Sequence, residues 1–181
     1  EEQLVKWSIE LCDVLHFLHT HKPEPIIFRD MKPSNVMINQ YDHIVLIDFG
    51  IAKPFQMGQK GTMIGTEGYS PPEQYRGEAT PQTDIYALGA TLHHLITRRD
   101  PRLEPPFSFG ERPIRVLNPE VSPAFEAIIL RALQYNPEDR FPSASAMKEA
   151  LLSISSDAKM PMSTQPEIAL PSDDYAKPSW T

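Results

Sequence analysis

The sequence predicts a mainly α-helical fold carrying one small β-hairpin. Four segments place apolar residues at three- and four-residue steps, two short apolar runs flank a turn-forming pentapeptide, and residues 50–70 are polar and show no period.

The first helical pattern runs from Leu4 to His19, with Leu4, Ile9, Leu11, Cys12, Leu15 and Leu18 on one face. Pro23 and Pro25 stop it, because proline cannot donate to the helical ladder and restricts the residue before it. Short apolar runs follow at Ile26–Phe28, Val36–Ile38 and Ile44–Ile47. Asn39 to His43 separate the last two, predicting a hairpin beside a polar loop. Residues 50–70, rich in Gly, Thr, Lys and Gln, predict one long loop, and loops of that length are usually functional. Helical spacing returns from Pro81 to Thr97, with Pro81 in the first turn. The proline-rich stretch 100–120 predicts irregular structure. Helices are then expected over Ser122–Tyr135 and from a Ser143 cap to about Leu152. Residues 154–181 bury too little apolar surface to offset their ordering entropy and are expected to be a disordered Ser- and Pro-containing linker, leaving 1–153 as the folded unit.

With 17 Lys and Arg against 24 Asp and Glu, the net charge is −7, and no basic stripe marks a nucleic-acid partner. The only cysteine, Cys12, excludes an intrachain disulfide and lies on a packing face, where it is expected to be inert. No apolar run approaches the ~20 residues that span a bilayer. The chain starts at Glu1 and its first helical pattern begins almost at once, so an upstream part of a longer chain is expected. Six histidines invite a metal reading, but His16 and His19 have no Cys or acidic partner at ligand spacing, and a surface or core-packing place is the better account of them.

The chemistry concentrates in Phe28-Arg29-Asp30-Met31-Lys32-Pro33-Ser34-Asn35, with Asp48-Phe49-Gly50 following the hairpin. Phosphoryl transfer requires an oriented hydroxyl, an acceptor for its proton, and neutralisation of phosphate and metal charge. Asp30 on a tight loop can accept the proton, and Lys32 can aim its ammonium at the transferred phosphate. Asn35 and Asp48 offer the oxygen ligands that magnesium prefers, and the hairpin folds Asp48 back beside Asn35. Gly50 permits a sharp bend behind them.

Arg29-Asp30, Lys32-Pro33 and Asn35 together with Asp48-Phe49-Gly50 resemble the catalytic loop and metal-binding motif of eukaryotic-type Ser/Thr protein kinases, and the Gly50 to Glu73 style, with Gly-Tyr-Ser-Pro-Pro-Glu-Gln, is similar to the bacterial members. The resemblance extends from residue 1 to about 153. It implies the helical C-terminal lobe of the kinase fold, with Asp30 as catalytic base, Lys32 on the phosphate, and Asn35 and Asp48 holding Mg2+ (or Mn2+) of Mg-ATP. Gly65-Thr66-Glu67-Gly68-Tyr69 followed by Pro71-Pro72-Glu73 resembles the substrate-docking segment, with Pro71 in place of the usual alanine. By resemblance Thr66 contacts the catalytic Asp and Lys, and Thr62 is the activation-loop phosphosite, which Arg29 would grip. Asp84 braces the catalytic loop, and Arg140 pairs with Glu73 as structural support.

Phe28 replaces the family's usual histidine and is expected to pack against Phe49. The family's docking helix has no clear counterpart in 100–120. Its glycine-rich loop, strand lysine and partner glutamate do not occur in these 181 residues. With the N-terminal lobe absent, the chain alone is expected to be inactive. The implied function is a protein Ser/Thr kinase acting on protein hydroxyls, cytoplasmic or the cytoplasmic portion of a membrane protein linked through its tail. The alternatives are a non-catalytic pseudokinase-like binding module and a small-molecule phosphotransferase. The four catalytic and metal residues argue against the first, and the long loop with Pro71-Pro72-Glu73 and Arg140 argues against the second.

Overall fold

The computed structural model describes residues 1–49, 53–54 and 65–157. Gly50, Thr62, most of the predicted long loop and all of the predicted linker beyond Asp157 lie outside these residues. Helix α1 (Glu2–His19) buries Val5, Ser8, Leu11, Cys12, Leu15 and Leu18. Ser8 is tolerated there because its hydroxyl donates to the Leu4 carbonyl at 2.6 Å. Burial also pushes the Cys12 thiol up to about 12, which keeps it an unreactive thiol.

Strands β2 (Val36–Ile38) and β3 (Ile44–Leu46) form the expected antiparallel hairpin, with Val36 opposite Leu46 and Ile38 opposite Ile44. Asp42 turns it at φ +61°, a left-handed conformation that Asp tolerates. A second antiparallel pair, β1 (Ile26–Ile27) with β4 (Lys53–Pro54), departs from the expectation of an uninterrupted loop after residue 50. Two residues per strand are too few to leave a period in the sequence.

Helix α2 (Pro72–Tyr75) is one turn long, with proline in its first turn. Helix α3 (Pro81–Thr97) starts where the Thr80 amide donates to Thr83 Oγ1 at 2.9 Å and stops where Arg98 turns left-handed. Residues 100–120 hold two 3₁₀ turns, at Pro101–Leu103 and Phe109–Glu111, and the one-turn helix α4 (Ile114–Leu117), so this stretch is irregular as expected. Helix α5 (Pro123–Ala132) is shorter than predicted and is capped by Ser122 Oγ, which accepts from the Phe125 amide at 3.1 Å. Helix α6 (Ala144–Asp157) outruns its predicted end; the Ser143 hydroxyl caps it through the Ala146 amide.

Leu11, Leu15, Ile85, Leu88, Leu92, Phe125, Ile129, Met147 and Leu151 meet in one core between α1, α3, α5 and α6. Each such side chain contributes about 1.5–3 kcal/mol on burial, so this core holds the frame on which the polar loop 28–35 rests. A smaller cluster of Tyr69, Tyr86, Ala90 and Phe109 adjoins it through Leu133.

Candidate active site

Residues 28–35 leave β1 and reach β2 through a 3₁₀ turn at Pro33–Asn35. Arg29 within this loop takes φ +71°, a conformation costing a bulky L-residue about 1–2 kcal/mol. Asp84, fully buried in the first turn of α3, offsets that strain. Its Oδ2 accepts from the Phe28 amide at 2.8 Å and its Oδ1 from the Arg29 amide at 2.7 Å. His19 Nε2 stands 2.8 Å from Oδ2, joining the end of α1 to the same carboxylate. Gln74 Nε2 donates to the Arg29 carbonyl at 2.9 Å, so α2 holds the loop from its other side.

Four polar side chains converge inside this brace. The Asp30 carboxylate receives Thr66 Oγ1 at 2.5 Å and Asn35 Nδ2 at 2.9 Å, and Lys32 Nζ lies 2.8 Å from its Oδ2. Lys32 Nζ also donates to Thr66 Oγ1 at 2.8 Å, closing a ring of acid, amine and hydroxyl. Burial alone would raise the Asp30 carboxyl, but the bonds from Lys32, Thr66 and Asn35 outweigh it and hold it below its ordinary value. Asp30 is therefore an anion already facing a hydroxyl.

The hairpin sets the remaining geometry. The Ile47 amide donates to the Asn35 carbonyl at 2.9 Å, which brings the exposed Asp48 next to Asn35 across the chain. Asn35 commits its amide donor end to Asp30 O and Oδ2, so among the described residues its acceptor end remains for a cation. An amide oxygen and a carboxylate fit a hard divalent ion such as Mg2+. The Phe28 and Phe49 rings meet edge to face, with centroids 5.2 Å apart, as the replacement of histidine by Phe28 led one to expect.

The segment from Gly65 to Tyr69 is fixed from below. A Cβ on Gly68, at φ +83°, would lie 2.6 Å from the Pro101 carbonyl carbon, so only glycine fits there. Tyr69 bonds His94 Nδ1 through its hydroxyl at 2.6 Å. Farther down, Arg140 grips Glu73 with two bonds of 2.6 and 3.0 Å and donates to the Gln134, Gln82 and Tyr135 carbonyls. Both side chains are almost fully buried, and neither touches Asp30 or Lys32 among the described contacts.

The structure thus brings Asp30, Lys32, Asn35 and Thr66 into one bonded group with Asp48 beside it. Arg29 and Asp84 lie behind the group, and Glu73 with Arg140 stands apart from it. Thr62 lies outside the described residues. Sequence reasoning missed His19 and Gln74. His19 falls four residues after Leu15 on the packing face of α1, a spacing that marks it as inward but cannot name its partner 65 residues away.

Similarity to known proteins agrees with this geometry. The pattern of the protein kinase domain matches residues 1–152. The chain is 33% identical over 165 residues to the serine/threonine-protein kinase PknB of Mycolicibacterium smegmatis, covering 80% of the chain and 25% of that protein. It is 32% identical over 174 residues to PknB of Mycobacterium leprae, covering 86% and 26%. A probable serine/threonine-protein kinase of Corynebacterium efficiens is 36% identical over 166 residues, covering 82% and 25%. The chain spans about a quarter of the length of these bacterial relatives. With the kinase pattern running unbroken from the start of α1 into α6, through the loop of Asp30 and the hairpin of Asp48, this chain belongs to the protein kinase family, as a helical C-terminal lobe of the bacterial Ser/Thr type.

Proposed function

We propose that this chain is the substrate-side lobe of a protein kinase that transfers the γ-phosphoryl of Mg-ATP to Ser or Thr hydroxyls of proteins. The observation that carries this is the bonded ring of Asp30, Lys32 and Thr66. It shows a hydroxyl held between an ionised carboxylate and an ammonium, the environment an attacking hydroxyl needs. In this reading Asp30 accepts the proton as a substrate hydroxyl attacks, and Lys32 neutralises charge on the transferred group. Asn35 and Asp48 would hold the metal, which when bound neutralises the phosphates. Thr66 anchors the docking segment to the acid, and Asp84 keeps Asp30 in position.

No glycine-rich phosphate loop occurs among these 181 residues, so the part assigned to them is the substrate and metal side of the site. Such a kinase works where Mg-ATP is, on the cytoplasmic side, and residues 154–181 serve as its linker. No helix among the described residues is long and apolar enough to cross a membrane. Arg29 also supports a switch at Thr62. Its guanidinium is buried, its Nε has no hydrogen-bond partner among the described residues, and a phosphate can take two of its donors at once. Mass spectrometry of the active full-length protein should find phosphate on Thr62.

The deciding experiment compares the full-length protein with its Asp30→Asn variant in Mg-ATP-dependent transfer to protein substrates. Loss of the base should slow transfer by about 10²–10⁴-fold while nucleotide binding persists. Equal rates in the two proteins would remove Asp30 from the mechanism. Nucleotide binding without any transfer by the wild type would favour a non-catalytic module.

A further inference from the structure

An exposed row of aromatic rings borders the docking segment. Tyr75, Phe107 and Tyr135 come from three separate parts of the chain, and each is 40% exposed or more. Phe107 stands between the two tyrosines, its ring edge to face with each at a centroid distance of 6.0 Å. Tyr75 lies against the backbone of Gly68 and within electrostatic reach of Glu67, two and one residues from Thr66.

Phe107 is held at φ +58°, a left-handed conformation that a bulky residue adopts at a cost. Core burial does not offset that cost, since the ring stays 41% exposed. Strain that presents an apolar ring to water marks a contact surface.

The charges around the row select its occupant. Glu67 is exposed and has no ion pair among the described residues, and Glu138 and Asp139 follow Tyr135 on a 3₁₀ turn. Three nearby cations are already engaged, Arg76 by Glu78 at 3.0 Å, Arg140 by Glu73, and Arg102 by Asp100, while Arg112 is turned over the Phe109 ring. The whole chain carries a charge of −7. Aromatic faces beside uncompensated carboxylates suit a guanidinium, which stacks on a ring while pairing with an acid.

We infer that Tyr75, Phe107 and Tyr135, with Glu67, form a subsite for an arginine side chain of the protein substrate, displaced from the phosphoacceptor along the docking segment. The inference rests on the kinase reading above and adds a specificity that the acid, amine and metal ligands do not supply.

The test uses the full-length kinase and Thr peptides in which one position at a time, on either side of the acceptor, is varied among arginine, citrulline and norleucine. Transfer is measured as kcat/KM, and binding of the same fluorescent peptides is measured by anisotropy without nucleotide. One position should prefer arginine over citrulline by roughly three- to fivefold, the size of an exposed cation–π contact. Phe107→Gly, which relieves the left-handed strain, and Tyr135→Ser should each bring that ratio close to one in both measurements. An unchanged ratio in both variants overturns the subsite, as does a preference for norleucine. Self-association of the wild type that Phe107→Gly abolishes would also overturn it, assigning the row to a second copy of the chain. If no peptide is phosphorylated, the kinase reading fails, and the anisotropy ratio still decides the subsite.

Discussion

Asp84 gives one oxygen to the Phe28 amide and the other to the Arg29 amide, and His19 shares the first. Asp84→Ala would leave two buried N–H groups without acceptors, each costing about 1–3 kcal/mol, and would release the strained turn at Arg29. Urea unfolding should show a loss of about 2–6 kcal/mol. Glu73 and Arg140 present a different case, a buried ion pair whose desolvation offsets much of its attraction. Removing one partner strands a buried charge at a cost of about 3–5 kcal/mol, whereas replacing both with leucine should cost less than the sum of the two single changes. A double-mutant cycle on Glu73→Leu and Arg140→Leu measures this; additive losses would show that the two side chains are not coupled. Asp84, Glu73 and Arg140 stood out in the sequence because short motifs surround them. His19 and Gln74 did not, because one buried histidine or glutamine carries no local sign of the carboxylate or carbonyl it will meet.

The hairpin that carries Asn35 and Asp48 is fastened to α1 at its turn. Asp42 accepts from Gln3 Nε2 at 3.1 Å, Lys6 Nζ at 2.6 Å and Trp7 Nε1 at 3.2 Å, while Glu10 accepts from the Ile44 amide at 2.8 Å. Asp42→Gly keeps the left-handed turn accessible yet removes all three acceptor contacts. Hydrogen exchange should then quicken at the β2 and β3 amides, with α3 and α5 unaffected; unchanged exchange in the hairpin would show that its own strand pairing suffices. Helix α3 meets α5 so closely that a Cβ on Gly89 would lie 2.9 Å from the Ala132 Cβ. Gly89→Ala should therefore destabilise the fold by about 1–3 kcal/mol through overpacking, despite alanine's better helix propensity. The long helices were legible because each buries one apolar stripe at the helical period. Helix α2 and the β1–β4 pair were not, since four- and two-residue elements are too short to show a period and depend on tertiary contacts. The end of α5 was set by backbone bonding at Leu133, which apolar spacing does not encode.

Taken together, the molecule has a large core behind the catalytic loop and a smaller aromatic cluster beneath the docking segment, joined through Leu133. His93 is fully buried beside that cluster, its ring 5.0 Å from Phe109. Its Nε2 faces the Arg112 carbonyl at 3.0 Å, and a carbonyl can only accept, so Nε2 carries the proton of the neutral ring. Adding the second proton puts a charge in an apolar setting near the Arg112 guanidinium. Burial first, and the nearby Arg112 and His94 charges after it, hold the imidazole below its ordinary value of 6.5. The backbone bond to Arg112 and the charge of Glu104 oppose this without overcoming it. The folded chain thus binds fewer protons here than the unfolded chain. Its stability should be full above about pH 6.5 and should fall as pH drops toward the depressed folded-state value. His93→Gln keeps a donor for the Arg112 carbonyl but cannot titrate. Urea unfolding at a series of pH values from 7 to 5 should show the wild type losing stability over this interval and the variant losing much less. Parallel slopes would place the acid sensitivity elsewhere and leave His93 as a packing residue alone.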